Sequence, residues 1–302
     1  MTSGAAAALA ETIRGSGARR IAFLGLSKNA GKTTALTAVL EELHRAGVPA
    51  GATSAGRDGE EFDAITGEPK PRFQVFPGQL VASAESTFAT VSFPMSELAT
   101  LPFQTRFGAV QLRRADGAGE LEVIGPSTAS QMALTAAALE AAGAELVLLD
   151  GAVGRRAFAA GRVADGIVLS VGLSAAESLP AVLAAAAGAA ELIRLPVAPP
   201  GARRRECEGA VTELSLAESP PIAGETLVAE DFTAFFLAPS QRRRLADAGI
   251  PLAVRKPARL LAVTANPTAP SRPPLSAARF LEAVAREIPG APVFDLVADL
   301  RS

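Results

Sequence analysis

The chain alternates between short apolar runs and longer segments in which apolar residues recur every three or four positions. The short runs predict buried strands, and the longer segments predict helices that bury one face. Strands are predicted at 21–26, 48–54, 145–151, 165–172, 259–267 and 292–296. Helices are predicted at 32–46, 127–143, 176–193, 241–248 and 275–288, with a short surface helix near the N-terminus.

Two regions interrupt this alternation. Between about 59 and 125, the stretches "RFQVFPGQLVAS" and "FGAVQLRRADGAGELEVIG" predict two hairpins, the second turning at Asp116-Gly117. We interpret this β-rich region as an antiparallel excursion attached to the main sheet. Residues 200–258 show no clear pattern apart from the helix at 241–248, and we interpret them as an insertion into a single domain spanning 1–302.

Strands that alternate with helices predict the α/β class. The expected fold is a mainly parallel, doubly wound sheet with helices on both faces, which is the three-layer αβα arrangement. Ligands of such sheets bind beyond the C-terminal ends of the strands. Polar residues that follow the predicted strands are therefore the candidates for function.

Composition narrows the function classes. The formal net charge is −2, so no excess of positive charge points to nucleic acid or an anionic membrane surface. The alanine-rich uncharged run 178–190 is shorter than the about 20 residues that span a bilayer. The lone Cys207 excludes an intramolecular disulfide and argues against a cysteine metal site. We expect a soluble, cytoplasmic protein.

The segment after the first predicted strand has the residues of a phosphate-binding loop. "GLSKNAGKTT" lies between a buried strand and an amphipathic helix, the context that this motif requires. Gly31 permits close backbone approach, Lys32 would reach the β- and γ-phosphate oxygens, and the Thr33 hydroxyl would bind Mg²⁺. The candidate nucleotide contacts are Gly25, Lys28, Asn29, Ala30, Gly31, Lys32, Thr33 and Thr34.

The spacing of this loop departs from the consensus. The usual first glycine would fall on Leu26, five residues before Gly31, whereas the glycine here is Gly25, six residues before it. Lys28 is a second loop lysine, which we interpret as a residue that helps to attract anions.

Acidic residues follow two of the predicted strands. The strand "ELVLLDG" has Asp150 directly before its last glycine, at the place where a phosphate loop needs an acid to hold the metal's water. Asp58, in "TSAGRDGEEFD", is the leading candidate for a second metal-binding or switch acid. The predicted catalytic residues are Lys32, Asp150 and Asp58, and the predicted Mg²⁺ site is Thr33, Asp150 and Asp58. For each acid, solvation or capping of a turn is the structural alternative.

Further polar residues flank these positions. Asp58 has Glu60, Glu61 and Asp63 as neighbours, and positive charge for a γ-phosphate or a carboxylate substrate comes from Arg57, Lys70, Arg72, Arg155 and Arg156. Asn266, at the end of the last core strand, is a candidate adenine contact, with an ordinary Asn-Pro turn as the equal alternative. No Asn-Lys-x-Asp guanine motif occurs, which favours ATP over GTP.

These motifs resemble the dethiobiotin synthetase-like branch of phosphate-loop NTPases, whose loop also has its first glycine six residues before the last. The strings "GLSKNAGKTT", "TSAGRDGE", "LLDGAVGRRAFA" and "TANPTAP" are more closely similar to the reactivase subunit family of lysine 5,6-aminomutase. That resemblance implies an accessory ATPase that helps a cobalamin-dependent partner enzyme to exchange damaged cofactor. Ser27 stands where dethiobiotin synthetase carries a signature aspartate, which argues against a carboxylate ligase.

Two hypotheses follow. The first is an accessory protein in which ATP and Mg²⁺ order residues 55–72 and so change a surface that a protein partner binds. That partner would be an aminomutase or a second reactivase subunit, and homodimerisation stays open. The second is an enzyme that uses ATP to activate a small carboxylate or to phosphorylate a metabolite in an enclosed pocket.

Overall fold

The computed structural model describes residues 4–55, 72–151, 161, 163–270 and 273–302. The strands are β1 (Arg20–Gly25), β2 (Ala50–Ser54), β3 (Arg72–Val75), β4 (Leu80–Ala84), β5 (Met95–Thr105), β6 (Gly108–Ala115), β7 (Gly119–Glu122), β8 (Leu146–Gly151), β9 (Gly166–Gly172), β10 (Arg203–Glu206), β11 (Val211–Thr212), β12 (Glu225–Ala229), β13 (Phe235–Phe236), β14 (Leu252–Val254), β15 (Arg259–Asn266), β16 (Val293–Asp295) and β17 (Leu300–Arg301). The α-helices are α1 (Gly4–Gly15), α2 (Lys32–Arg45), α3 (Glu85–Phe88), α4 (Ala129–Ala141), α5 (Leu179–Ile193), α6 (Glu213–Glu218), α7 (Pro239–Asp247) and α8 (Ala277–Glu287).

Within the described residues, ten strands form one large sheet in the order β17-β16-β15-β9-β1-β8-β2-β4-β6-β5. Neighbours from β16 to β4 are parallel, and the strands added at the two ends are antiparallel. The protein is therefore an α/β protein with a mostly parallel sheet, as the alternation of strands and helices predicted.

Alternating side chains of the strands build a core on each face of the sheet. Ile21 and Phe23 of β1 join the cluster that α1 and α2 cover. Ala22 and Leu24 join the cluster that α4, α5 and α8 cover. Helices thus lie on both faces of the sheet, an arrangement compatible with three αβα layers.

The helix starts follow local capping rules. Thr128 accepts a hydrogen bond from the Gln131 N–H at the start of α4, and Ser178 accepts one from the Ala181 N–H at the start of α5. Pro180 lies in the first turn of α5, where its missing N–H is not needed, as the sequence indicated.

The two hairpins predicted between 72 and 125 are wrong. β3 pairs with β7 in a separate two-stranded sheet, so neither β3 and β4 nor β6 and β7 form a hairpin. The hairpin in this region is β5–β6, and β5 was not predicted because most of its side chains are exposed. β4 and β6 continue the main sheet beyond β2 through antiparallel pairing. The Asp116-Gly117 turn leads from one sheet to the other.

The stretch that showed no clear pattern is built from very short elements. β10, β12 and β14 form a three-stranded parallel sheet, and β11 pairs with β13. Phe232 and Phe235 of this stretch are buried in the same cluster as the side chains of α5. The buried Arg242 also donates to Gly188 O and to Glu191 Oε2 of α5, at 3.0 and 2.8 Å. Strands of two to five residues are too short to show periodicity, which explains why only α7 was predicted here.

Among the described residues, no helix combines the length and the apolar character needed to cross a membrane.

Candidate functional site

The candidate site lies where two neighbouring parallel strands send their helices to opposite faces of the sheet. β1 and β9 are adjacent, and α2 follows β1 on one face while α5 follows β9 on the other. A crevice opens between the departing chains at such a point, beyond the C-terminal ends of the strands. The loop of residues 26–31 fills one side of this crevice.

The backbone of this loop turns through two left-handed residues. Asn29 has φ 61° and Gly31 has φ 91°. Gly31 occupies the N-cap position of α2, and its carbonyl oxygen accepts the first helical hydrogen bond from the Ala35 N–H at 3.0 Å. A residue with a side chain is strained at this φ, so glycine is the residue that lets the loop enter the helix here.

The end of β9 supports the loop from the other side. The Ser174 hydroxyl donates to the Lys28 carbonyl oxygen at 2.9 Å and lies 2.8 Å from the Ser27 hydroxyl. A Cβ atom on Gly172 would lie only 2.7 Å from the Cα atom of Ala30. The loop is therefore packed directly against the backbone of β9 and is tied to it by hydrogen bonds.

Lys32, Thr33 and Asp150 meet at the start of α2. The Lys32 Nζ atom lies 3.8 Å from Asp150 Oδ1, and the Thr33 hydroxyl donates to Asp150 Oδ2 at 3.2 Å. Asp150 is the penultimate residue of β8, the strand next to β1, and its backbone carbonyl accepts a hydrogen bond from the Ala55 N–H. The sheet thus brings together three residues that the sequence had singled out separately.

The Asp150 carboxylate is held in an unfavourable environment. The residue is 6% exposed, and Oδ1 has no hydrogen-bond partner among the described residues. Burial raises the pKa of Asp150 above its ordinary value of 3.8, although the charge of Lys32 and the hydrogen bond from Thr33 oppose the shift. An unpaired buried carboxylate oxygen is the kind of group that a ligand, an ion or its water can satisfy.

Gly25 accounts for the unusual spacing of the loop. A Cβ atom at Gly25 would lie 3.3 Å from Lys32 Cδ and 3.3 Å from the Ser27 carbonyl oxygen. Both contacts are tight, so the glycine six residues before Gly31 leaves room for the Lys32 stem to pass toward Asp150. Leu26, at the consensus position, instead donates its N–H to the Ser170 carbonyl oxygen of β9.

Asn266 lies beside the loop, and its amide already has protein partners. Its Nδ2 donates to the Asn29 carbonyl oxygen at 2.9 Å, and its Oδ1 accepts from the Thr268 hydroxyl and N–H at 2.7 and 3.2 Å. The side chain therefore braces the left-handed turn at Asn29. One amide hydrogen remains beyond these contacts, since Nδ2 carries two.

A cavity of about 370 Å³ adjoins the loop on the side of β15 and β16. Ala30, Gly31 and Thr34 form its boundary with the loop, and β15, α8 and the chain after β16 form the rest. Its lining includes Asp295, which is 1% exposed and was not singled out in the sequence. The walls are mostly apolar, as is typical of small-molecule sites.

The remaining predicted residues are less central or lie elsewhere. Lys28, Asn29 and Thr34 are exposed on the loop and at the start of α2, while Ala30 is 2% exposed. Arg72 is exposed at the start of β3 and pairs in register with Glu122 of β7. Predictions for Arg57, Asp58, Glu60, Glu61, Asp63, Lys70, Arg155 and Arg156 fall outside the described residues.

Fold and site together define an α/β protein in which a strand, a loop and a helix follow one another at the C-terminal ends of the strands of a mostly parallel sheet. A lysine, a threonine and a buried aspartate lie together there. No protein-family model matches the chain, and searches among curated proteins and among solved structures likewise found no match.

Sequence reasoning missed Gly172, Ser174 and Asp295. Asp295 had the same signal as Asp150, namely an acid at the end of a predicted buried strand. Gly172 and Ser174 follow the strand predicted at 165–172, but their role depends on β9 being the neighbour of β1. Strand order is a tertiary property, so no local pattern pointed to them.

Proposed function

We propose that this protein is a phosphate-loop NTPase that binds ATP with Mg²⁺ in the crevice between β1 and β9. The observation that carries the proposal is the meeting of Lys32, Thr33 and Asp150 at the start of α2, with Lys32 Nζ 3.8 Å from Asp150 Oδ1 and the Thr33 hydroxyl 3.2 Å from Oδ2. Lys32 and Thr33 are neighbours in the chain and could lie together without any shared role. Asp150 is more than 100 positions away, so its contact with them is not a consequence of chain proximity.

The loop supplies the chemistry that binds phosphate. The N-terminus of α2 carries unpaired backbone N–H groups and the positive end of the helix dipole, both of which favour an anion. Lys32 adds a full positive charge whose side chain is mostly buried, 17% exposed, so solvent screens it less than a surface lysine. Triphosphate oxygens placed here would take over the partial pairing that Lys32 has with Asp150.

The residues present fit a magnesium ion bound through the nucleotide. Among the described residues, no group of three or more histidine, cysteine or acidic side chains could hold a metal by itself. Mg²⁺ at nucleotide sites, however, takes most of its ligands from phosphates and water, with one or two protein oxygens. The Thr33 hydroxyl would hold the ion. The Oδ1 atom of Asp150, which has no hydrogen-bond partner among the described residues, would accept a hydrogen bond from a water molecule on the ion.

Each residue would then have one task in phosphoryl transfer. When bound, Mg²⁺ supplies neutralising charge to the phosphates. Lys32 neutralises charge that develops on the β- and γ-phosphate oxygens, Thr33 fixes the position of the phosphates, and Asp150 orients Thr33 through its hydrogen bond. The cavity beside Gly31 would hold the base. Asp58 stays the proposed second acid.

We further propose that the nucleotide drives an accessory role toward a partner enzyme, with a cobalamin-dependent aminomutase as the candidate. The resemblance of the loop and strand-end strings supports this role. Large apolar side chains are exposed on the β5–β6 hairpin and within residues 203–254. They are Leu98, Phe107, Leu214, Ile222 and Phe236, which are 40 to 69% exposed.

The test is hydrolysis by the purified protein, with and without the partner. We expect slow, Mg²⁺-dependent ATP hydrolysis by the wild type, faster hydrolysis when the aminomutase is present, and none with Lys32→Ala. Lys256→Ala is the matched control, because this lysine lies far along the chain and pairs with Glu230 on the surface. Absence of nucleotide binding by the wild type would overturn the whole proposal. Rapid turnover of one small carboxylate without any partner would overturn the accessory role alone.

A further inference from the structure

Asp295 is a buried acid that the proposed phosphate chemistry does not use. It ends β16, is 1% exposed, and lines the cavity that adjoins the phosphate loop. One of its oxygens has a clear structural task, because Oδ1 accepts hydrogen bonds from the Val297 and Ala298 N–H groups at 3.0 and 2.9 Å. These bonds turn the chain after β16.

The second oxygen has no such task. Oδ2 of Asp295 is buried and has no hydrogen-bond partner among the described residues. Leaving a buried carboxylate oxygen unpaired is costly, and an asparagine would form the same turn through its own side-chain oxygen. A carboxylate is thus not needed for the turn, and the residue that carries it lines a cavity.

The surroundings indicate what would pair with it. The other walls include Ala265, Pro267, Leu296 and Val297, which are apolar, and the cavity volume of about 370 Å³ is in the range of small-molecule sites. The cavity also meets the loop at Ala30 and Gly31. A planar ring joined to a triphosphate fits this combination of an apolar slot, a phosphate loop and one acceptor-only group.

Resting on the proposed nucleotide function, we propose that Asp295 recognises the base, by accepting a hydrogen bond from an exocyclic amino group of a purine. An ionised carboxylate only accepts, so Oδ2 favours a base edge that donates and disfavours one that presents a lone pair. The 6-amino group of adenine and the 2-amino group of guanine both have this chemistry. Asn266 is less suited to the task because its amide is already bound to Asn29 and Thr268.

The test compares two pairs of triphosphates that differ by one amino group. ATP is compared with purine riboside triphosphate, which lacks the 6-amino group, and GTP with ITP, which lacks the 2-amino group. Dissociation constants are measured by calorimetry with Mg²⁺. For the wild type we expect a loss of about tenfold or more in one of the pairs, as for a hydrogen bond to a charged acceptor, and the pair that responds identifies the base.

Asp295→Asn should then remove this preference. The asparagine oxygen would keep the bonds from Val297 and Ala298, which leaves its NH₂ group, a donor, facing the amino group of the base. We expect the affinity ratio within the responsive pair to fall to about one or to reverse. Asp247→Asn, the same change on the exposed end of α7, should leave the ratio unchanged.

Binding of inorganic tripolyphosphate tests the phosphate site without any contribution from a base. Its affinity should depend on Lys32 and stay the same in Asp295→Asn, since it has no base. Equal wild-type affinities within both pairs, with tripolyphosphate still bound, would overturn base recognition by Asp295 and leave the nucleotide site standing. If neither nucleotides nor tripolyphosphate bound the wild type, both proposals would be wrong.

Discussion

The Nζ atom of Lys32 lies 3.8 Å from Oδ1 of Asp150, which is the carboxylate oxygen without a hydrogen-bond partner among the described residues. This distance is short enough for charge attraction and too long for a hydrogen bond. The pair is therefore not a closed structural salt bridge. Lys32 and Asp150 both retain the capacity to bind something placed between the loop and the end of β8.

Substitutions of Thr33 test whether its hydroxyl, at the start of α2, contributes to triphosphate binding. Thr33→Val keeps the shape but removes the donor to Asp150 and the proposed ion ligand, so we expect Mg²⁺-dependent triphosphate affinity to fall by about tenfold or more. Thr33→Ser keeps the hydroxyl and should stay within about threefold of the wild type. Calorimetry with and without Mg²⁺ measures both. Equal affinities for the two variants would exclude a role for the hydroxyl.

Asp150 should make stability depend on pH in a particular direction. Its folded-state pKa is raised above the ordinary 3.8, mainly by burial, so between these two values the folded chain binds more protons than the unfolded chain. The contribution to stability is full below the unfolded pKa and is lost as pH rises through the folded pKa. The asparagine of Asp150→Asn does not titrate, so the stability of this variant should not fall with pH for this reason.

We therefore expect the free energy of unfolding of Asp150→Asn, relative to the wild type, to rise as pH increases above about 4, by about 1.4 kcal/mol for each unit by which the pKa is raised. Denaturant unfolding at several pH values, without nucleotide, measures this difference. Asp247→Asn, an exposed control, should follow the wild type. Parallel curves for wild type and Asp150→Asn would show that burial does not raise this pKa.

Substitution of Gly172 tests the contact between β9 and the loop of residues 26–31. A Cβ atom there would lie 2.7 Å from the Cα atom of Ala30, so Gly172→Ala must displace backbone. We expect a loss of about 1–3 kcal/mol in stability, as for other overpacked sites, together with weaker triphosphate binding. Gly15→Ala is the matched control, because nothing lies within 4 Å of its added Cβ, and its stability should change by less than about 0.5 kcal/mol. Unchanged binding in Gly172→Ala would mean that the loop tolerates this shift.

Substitution of Asn266 tests whether its side chain supports the loop or contacts the base. The hydrogen bond from its side-chain amide to the Asn29 carbonyl oxygen holds the left-handed turn of the loop. Asn266→Ala should therefore weaken the binding of ATP and of inorganic tripolyphosphate by the same factor, about five- to tenfold for one hydrogen bond. Competition binding with both ligands gives the two factors. A loss confined to ATP would instead identify Asn266 as the adenine contact that its position after β15 suggested.

The sequence by itself determined the α/β class, most strands and helices of the parallel sheet, and the residues of the loop. These follow from local physics, because buried strands, amphipathic helices and a glycine-rich turn each leave a pattern within a few neighbouring positions. The same reasoning gave the wrong partners for β3 and β7 and missed β5, since strand pairing depends on contacts distant in the chain.

Only the tertiary structure decided what surrounds the loop. The order β9-β1-β8 brings Asp150 to Thr33 on one side and Gly172 and Ser174 to the loop on the other. The place of β16 beyond β15 puts Asp295 in the lining of the adjoining cavity. The physical reason is that the sequence fixes where each strand ends, whereas the packing of helices on the two faces fixes which strand ends become neighbours.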